Sequence, residues 1–507
     1  MDIKGRQTLF RRRLNRLAAG FGIGLMALSA CADGSPAGAL RGSGEERGAQ
    51  RPNIIFVLTD DLSTDLVPHM PTVRRMQRTG VTFSNYFATN SLCCPSRATI
   101  FTGRFPHNTG VVTNYPPNGG YQAFHERGGE TRSYAKALQA AGYRTALMGK
   151  YLNGYEPAGS AAGAARVPPG WSEWYVAGDG YSGFNYTLSE NGRRVRYGSR
   201  PGDYMTDVLS TKGIQFIQRS KAAKKPFMMQ VSLFTPHGPI VPAPRHAGAV
   251  PALRAPRPPS FNEPDVSDKP RWLRSRPALS GKGVQSIDEK FRKRVRTMLS
   301  VDEMIARFQR QLGALGLARN TYLVFSSDNG FHLGQHRLLS GKMTAFDTDI
   351  RVPLIVTGPN VPADRTVNPL TQNTDIHPTL LNLAGVPVPA GIDGRALTPW
   401  IHGRAVRPWR SAVLVQQRKH DLVAYDPDRQ GPADGNPPSY WALRLANSLY
   451  VEYANGEREY YDTARDPHQL HNRARALSPA RLRQLSAALR ALKTCSGARC
   501  RTADQAR

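Results

Sequence analysis

The residues most able to do chemistry in this chain are acids in pairs and a cysteine doublet. Asp60-Asp61 and Asp328-Asn329-Gly330 offer carboxylate and amide oxygens without soft donors, the ligand set of a hard divalent cation such as calcium or magnesium. Either motif alone is an ordinary turn or cap sequence. Together, each following an apolar run, they argue for a shared metal site. Cys93-Cys94-Pro95-Ser96-Arg97 leads into Ala98-Thr-Ile-Phe-Thr102 and Gly103, which reads as a short helix with a glycine C-cap. Free backbone donors at such a helix start favour an anionic group, and Arg97, one turn inside, adds a forked charge-assisted contact. Neighbouring cysteines make poor disulfide partners, because a trans peptide holds their Cα atoms about 3.8 Å apart whereas disulfides need about 4.4 Å or more. One of the two is therefore assigned to chemistry. Lys150, His237 in Thr235-Pro236-His237, and Lys342 after Leu338-Leu-Ser-Gly341 complete the candidates. A packed strand-end histidine and a solvated surface lysine are the ordinary alternatives for His237 and Lys342.

These residues need elements that bring them to one edge. Asn53-Ile-Ile-Phe-Val-Leu-Thr59 is a continuous apolar, β-branched run, as in a strand buried on both faces of a parallel sheet. Similar runs recur at Thr145 to Met148, Phe227 to Phe234, Tyr322 to Phe325 and Pro353 to Val356. Helical stretches at Ser133 to Ala141, Asp207 to Gln218 and Asp302 to Leu312 alternate with them, which predicts a doubly wound α/β sheet. Its strand ends would carry Asp60 and Asp61, Lys150, His237, and Asp328 with Asn329, where open parallel sheets place their sites. A proline- and arginine-rich stretch from Val241 to Gly281 reads as a surface excursion and a candidate wall of the substrate cleft. Beyond residue 405 short alternating segments, Trp441 to Leu445 and Leu449 to Tyr453 with the turn Asn455-Gly456, predict a small antiparallel sheet closed by a helix from Pro479 to Leu492.

The 507 residues carry a net charge of +30, which suggests a polyanionic partner or an arginine-biased genome. Arg11, Arg12, Arg13 and Arg16 precede an apolar stretch from Leu17 to Ala30, and Leu28-Ser-Ala-Cys31 resembles a bacterial lipobox, so residues 1–31 are read as a lipoprotein-type signal with a lipid anchor on Cys31. An ordinary secretory signal is the alternative; both export the protein, to the cell surface or beyond. Residues 32–50 read as a flexible tether, 51–404 as the catalytic domain and 405–507 as a C-terminal α+β subdomain. Cys495 and Cys500 are placed to close a small disulfide in an oxidising compartment.

The cysteine segment resembles the Cys-x-Pro-Ser-Arg signature of type I, formylglycine-dependent sulfatases, followed by that family's Thr102-Gly103-Arg104. Val57-Leu-Thr-Asp-Asp61, Gly149-Lys150-Tyr151, Thr235-Pro-His237, Ser327-Asp-Asn-Gly330, Asp375-Ile-His-Pro-Thr-Leu-Leu381, Tyr461-Asp462 and Asp466-Pro467 resemble further blocks over most of the chain. Gly149-Lys-Tyr-Leu-Asn-Gly154, Gly170-Trp-Ser-Glu-Trp174 and Phe184-Asn-Tyr-Thr-Leu188 look closest to N-acetylglucosamine-6-sulfatases. The resemblance implies an alkaline-phosphatase-like α/β sandwich with a large, mostly parallel sheet. It implies conversion of Cys93, not Cys94, to formylglycine by a separate formylglycine-generating enzyme. It implies a divalent cation, calcium or alternatively magnesium, on Asp60, Asp61, Cys93, Asp328 and Asn329, and catalytic roles for Cys93, Arg97, Lys150, His237 and Lys342. Lys150 and Arg97 would hold sulfate oxygens, while His237 or Lys342 would protonate the leaving sugar oxygen. Many members carry a histidine two residues after the lysine; here that position is Leu152, a feature of the glucosamine-type members. The implied substrate is a 6-O-sulfated N-acetylglucosamine or a related sulfated glycan, with no nucleic-acid partner. Arylsulfatase, a phosphonate monoester or phosphodiester hydrolase of the same fold, and a silent polyanion-binding protein are the competing readings.

Overall fold

Continuous apolar strands are stable only where both of their faces are covered, and the computed structural model shows how this chain covers them. It describes residues 51–157, 167–419, 425–431 and 433–505. The segments read as signal and tether, with Cys31, lie outside those residues. A ten-stranded sheet is built from β1 (Asn53–Thr59), β2 (Val81–Phe83), β3 (Arg144–Lys150), β4 (Glu173–Ala177), β5 (Thr187–Glu190), β6 (Arg193–Arg196), β7 (Phe227–Ser232), β8 (Thr321–Ser327), β9 (Leu354–Thr357) and β10 (Arg365–Val367). Their order is β10-β2-β9-β8-β1-β7-β3-β4-β5-β6. The five strands β8, β1, β7, β3 and β4 pair in parallel, with Ile55 of β1 opposite Met229 on one side and Leu323 on the other.

Alternate residues of β1 serve opposite faces, as the two-residue period of a strand requires. Ile54, Phe56 and Leu58 join one apolar core with helices α1 (Cys93–Thr102), α2 (Tyr134–Ala140) and α5 (Ile376–Leu383). Ile55 and Val57 join a second with α3 (Met205–Ala222) and α4 (Gly281–Ala314). All seven residues of β1 are buried, which is why the strand reads as unbroken apolar sequence.

The structure corrects the sequence reading in three places. The run near Pro353 becomes β9, which lies antiparallel to β8. Only the short helix Asp347–Ile350 separates it from the loop that follows β8, so no full crossover helix is available to make the pair parallel. Strands β5 and β6 extend the far edge and were not anticipated; arginine-rich β6 has no buried residue, so it carries no apolar signal. Helix α4 starts at Gly281 rather than near Asp302, capped by Ser280, whose hydroxyl accepts from Gly283 N–H. Its buried Ile287, Phe291, Val295 and Met298 follow helical spacing but sit among many lysines and arginines.

The C-terminal part forms a four-stranded antiparallel sheet, β11 (Ala412–Gln417), β12 (Tyr440–Leu445), β13 (Ser448–Tyr453) and β14 (Arg458–Asp462), packed by α6 (Pro479–Lys493). Cys495 and Cys500 are disulfide-bonded. The β11–β12 connection is what matters for the site, because it carries residues 425–431 back to the end of the large sheet.

Candidate active site

The ladder of the parallel strands continues past their carboxyl ends and so fixes the loops that follow. Asp60 N–H donates to Thr235 O at 3.1 Å and Asp328 N–H to Thr59 O at 3.2 Å. Asp61 sits at φ +66°, in the left-handed region that aspartate tolerates better than bulkier residues. Its N–H then donates to Asp328 Oδ1 at 3.1 Å. At the end of β3, Gly149 has φ +95°, and a Cβ there would stand 1.9 Å from Ser232 O. Only glycine permits that approach, and Lys150 follows from it.

Cys93 is the first residue of α1, a helix whose ten residues are all buried and which ends at Gly103, φ +67°. Its Sγ lies 3.0 Å from Asp60 Oδ1, 3.8 Å from Asp61 Oδ1 and 2.8 Å from Lys342 Nζ. Lys342 is completely buried, and its ammonium also touches Asp61 Oδ1 and Asp428 Oδ1, each at 2.6 Å. The backbone exchange between His332 and Gly341 holds the loop that delivers it. Lys150 Nζ meets Asp60 Oδ2 at 2.6 Å and lies 4.9 Å from the centre of the Tyr181 ring. His237 Nδ1 contacts Gly238 O at 2.6 Å, consistent with an Nδ1–H donor, and Nε2 meets Asp428 Oδ1 at 2.7 Å and Asp61 Oδ2 at 3.7 Å.

The sequence candidates thus meet, with one difference in placement. Arg97 was expected beside sulfate oxygens; instead its Nε donates to Asp328 Oδ2 at 2.8 Å, its Nη2 lies 3.7 Å from Asp60 Oδ1, and its remaining donors go to the carbonyls of Lys150 and Leu233. It braces the carboxylates from beneath. Cys94 points elsewhere: its N–H donates to Asn114 Oδ1, and its side chain lies in an apolar core. His107 bonds Gln416 and Cys495 O, away from the site. The Val241–Gly281 excursion walls another cavity through Pro256, Arg257, Pro258 and Ser260, not the one that reaches Lys150.

Sequence reasoning missed two residues. Asp428 binds both Lys342 and His237, and its other oxygen accepts from Asn114 Nδ2 at 2.6 Å. Nothing in Asp426-Pro427-Asp428 distinguishes it from a turn, since no predicted strand ends there. Arg294 of α4 is fully buried and donates to the carbonyls of Pro236 and Asp61. It lies within a helix half that periodicity did not reveal.

Burial opposes ionisation of Asp60, Asp328, Cys93 and His237, and the neighbours decide each outcome. Asp60 is held below the usual carboxylate range because Lys150 and Arg97 outweigh that burial. Asp328 is pushed up to about 7, by burial first and then by the Asp60 charge. Burial together with Asp428 and Asp60 raises the Cys93 thiol well above its ordinary value, so the unmodified cysteine is a poor nucleophile. His237 is raised, because Asp61 and Asp428 outweigh burial.

Ligand atoms of Asp60, Asp61, Cys93 and Asp328 lie within 4.8 Å of one another. Asn329 donates its Nδ2 to Asp61 Oδ1 at 2.8 Å, while its buried Oδ1 has no hydrogen-bond partner. An orphaned amide oxygen beside crowded carboxylates fits a hard divalent cation. Such an ion would also relieve the repulsion that raises Asp328 and would leave the centre net positive, ready for an anion.

A sulfatase family model matches residues 52–386, and one for the C-terminal part of N-sulphoglucosamine sulphohydrolase matches residues 334–494. The N-acetylglucosamine-6-sulfatase of Capra hircus is 34% identical over 492 residues, covering 92% of this chain and 87% of that one. A solved enzyme in complex with its substrate D-glucosamine-2-N,6-O-disulfate superposes with a TM-score of 0.72 at 25% identity, covering 90% of this chain and 99% of the other. The phosphonate monoester hydrolase of Agrobacterium radiobacter shares the fold, with a TM-score of 0.65 at 22% identity over 88% of this chain and 96% of its own.

Proposed function

Since the chain belongs to the sulfatase family and is a sulfuric ester hydrolase, we propose that it removes the 6-O-sulfate of N-acetylglucosamine or a related sulfated glycan unit, using formylglycine at Cys93. The observation that carries this reading is the placement of Cys93 Sγ between the Asp60 and Asp61 carboxylates and the Lys342 ammonium. The 34% identity to an N-acetylglucosamine-6-sulfatase and the glucosamine disulfate bound by the solved relative support the substrate class.

A sulfate monoester resists hydrolysis because its anionic oxygens repel nucleophiles, so charge must be neutralised where the attack occurs. As formylglycine, Cys93 would supply a hydrated aldehyde. One hydroxyl would lose its proton and attack sulfur as the S–O bond to the sugar breaks, and loss of the other hydroxyl's proton would then re-form the aldehyde C=O as the C–O bond to sulfate breaks. Asp60, Asp61, Asp328 and Asn329, with residue 93, would hold a hard divalent cation, calcium or alternatively magnesium, which would supply Lewis-acid charge neutralisation. Lys150 and Lys342 bring two permanent cations to the same centre for the sulfate oxygens. His237, whose protonated form Asp61 and Asp428 favour, would offer its Nε2 proton to the departing sugar oxygen. Arg97 fixes Asp328 and Asp60 rather than touching substrate.

We place the active protein outside the cytosol, anchored by lipid at Cys31 or secreted, with residues 51–404 as the catalytic domain and 405–507 as its C-terminal subdomain. The Cys495–Cys500 bond supports an oxidising compartment. Among the described residues no helix is long and apolar enough to cross a membrane.

Mass spectrometry of the peptide containing Cys93 tests the reading: conversion to formylglycine lowers its mass by about 18 Da. A wholly unmodified cysteine in active enzyme refutes the mechanism. Parallel assays with N-acetylglucosamine 6-sulfate, 4-nitrophenyl sulfate and a phosphonate monoester then rank the substrates, and a preference for the phosphonate overturns the proposal.

A further inference from the structure

The reacting groups are buried, so substrate must reach them through a cavity. One, 580 Å³, touches Asp65, Arg257 and His336 but none of the reacting groups. A second, 450 Å³ and within the range of about 300–1,000 Å³ usual for ligand sites, has Lys150 in its wall beside Asn153, Glu156, Asp179, Tyr181 and Tyr425. Lys150 is the only cation among the described residues of that wall, although the chain as a whole carries 68 lysines and arginines. Glu156 and Asp179 are exposed carboxylates there. Arg194 lines an adjoining 250 Å³ cavity that shares those two acids. A mouth built this way suits the one sulfate that reaches Lys150 and opposes another beside it.

Asn153 adds an independent sign. It is 5% exposed, its Nδ2 leans toward Tyr181 Oη at 3.5 Å, and its buried Oδ1 has no hydrogen-bond partner. A buried acceptor left unpaired is costly, so it calls for a donor from a ligand. Tyr181 and Tyr425 supply rings against which the apolar face of a sugar packs. The geometry points to a hexosamine subsite in this cavity, in which Asn153 Oδ1 takes a ring-substituent N–H or O–H and Glu156 with Asp179 turns away a second sulfate. N-acetylated 6-sulfated units are accepted and N-sulfated ones disfavoured. This inference rests on the sulfated-hexosamine reading above and narrows it.

The test uses the formylglycine-bearing full chain and compares kcat/KM for N-acetylglucosamine 6-sulfate, glucosamine 2-N,6-O-disulfate and 4-nitrophenyl sulfate at ~20 and ~500 mM salt. The wild type prefers the N-acetyl substrate over the disulfate by about tenfold at low salt and by less at high salt. A double Glu156→Gln, Asp179→Asn variant narrows the gap roughly fivefold, as expected for removing two partly screened like charges. Asn153→Ala lowers kcat/KM for the N-acetyl substrate about tenfold more than for 4-nitrophenyl sulfate, chiefly through KM. The two acids are exposed, so their variant does not depend on Asn153→Ala folding. Equal use of the two hexosamines by the wild type, or an unchanged ratio in the double variant, overturns the subsite. Turnover of 4-nitrophenyl sulfate without either hexosamine overturns the substrate reading instead.

Discussion

Replacing Arg97 by methionine separates a brace for the metal carboxylates from a direct grip on sulfate. The guanidinium is 1% exposed and its donors are committed to Asp328, Asp60 and two carbonyls. Removing one partner of such a buried pair leaves its carboxylate uncompensated, at about 3–5 kcal/mol. Over roughly 450 folded residues an unfolding entropy of about 2.1 cal/mol/K per residue gives about 1 kcal/mol per degree, so chelator-treated Arg97→Met melts about 3–5 °C below chelated wild type. With saturating calcium the deficit shrinks, because a dication beside Asp60 and Asp328 replaces the lost charge, and added calcium restores much of the lost kcat. Thermal scans at one heating rate, with and without chelator, measure the shift, and Arg78→Met, at an exposed position, is the control. A deficit equal to that of the control, or one that calcium does not change, refutes the brace. A kcat loss that persists at saturating calcium with normal melting would instead place Arg97 on the sulfate.

Cys93→Ala abolishes sulfate release while Cys94→Ala, in the apolar core, retains most of it; equal losses in a discontinuous sulfate assay contradict the assignment. His237→Ala lowers kcat by about 10²–10⁴ for a sugar sulfate and by much less for 4-nitrophenyl sulfate, whose leaving group needs little protonation. Because the His237 pKa is raised above 6.5, wild-type kcat on the sugar sulfate falls as pH rises through that raised value, and this limb is absent in His237→Ala. Asp328 contributes to the pH dependence of the chelated enzyme. Its pKa rises on folding from 3.8 to about 7, so between those values the folded state keeps a proton that the unfolded chain releases, and stability contributed by this group is lost as pH rises. Calcium therefore raises the melting temperature more at about pH 8 than at about pH 5, and an equal rise at both would contradict the crowding of carboxylates around Asp328.

The sequence by itself determined the parallel core and the contents of its edge. Runs such as Asn53–Thr59 are legible because a strand covered on both faces must be apolar throughout, and a polar residue just beyond it then stands out. That made Asp60, Asp61, Lys150, His237, Asp328 and Asn329 readable as one group, while the resemblance singled out Cys93 of the doublet and lifted Lys342. Only the tertiary structure decided what each group faces. Arg97 has the sequence context of an anion-binding helix start, yet one turn inside α1 its fork is spent on Asp328 and Asp60. Asp428 and Arg294 come from a loop of the C-terminal sheet and from the charged half of α4, and contacts between residues so distant in the chain leave no local period to read. The same holds for the cavity beside Lys150, whose wall joins residues near 115, 153, 179 and 425 that meet only when both sheets are assembled.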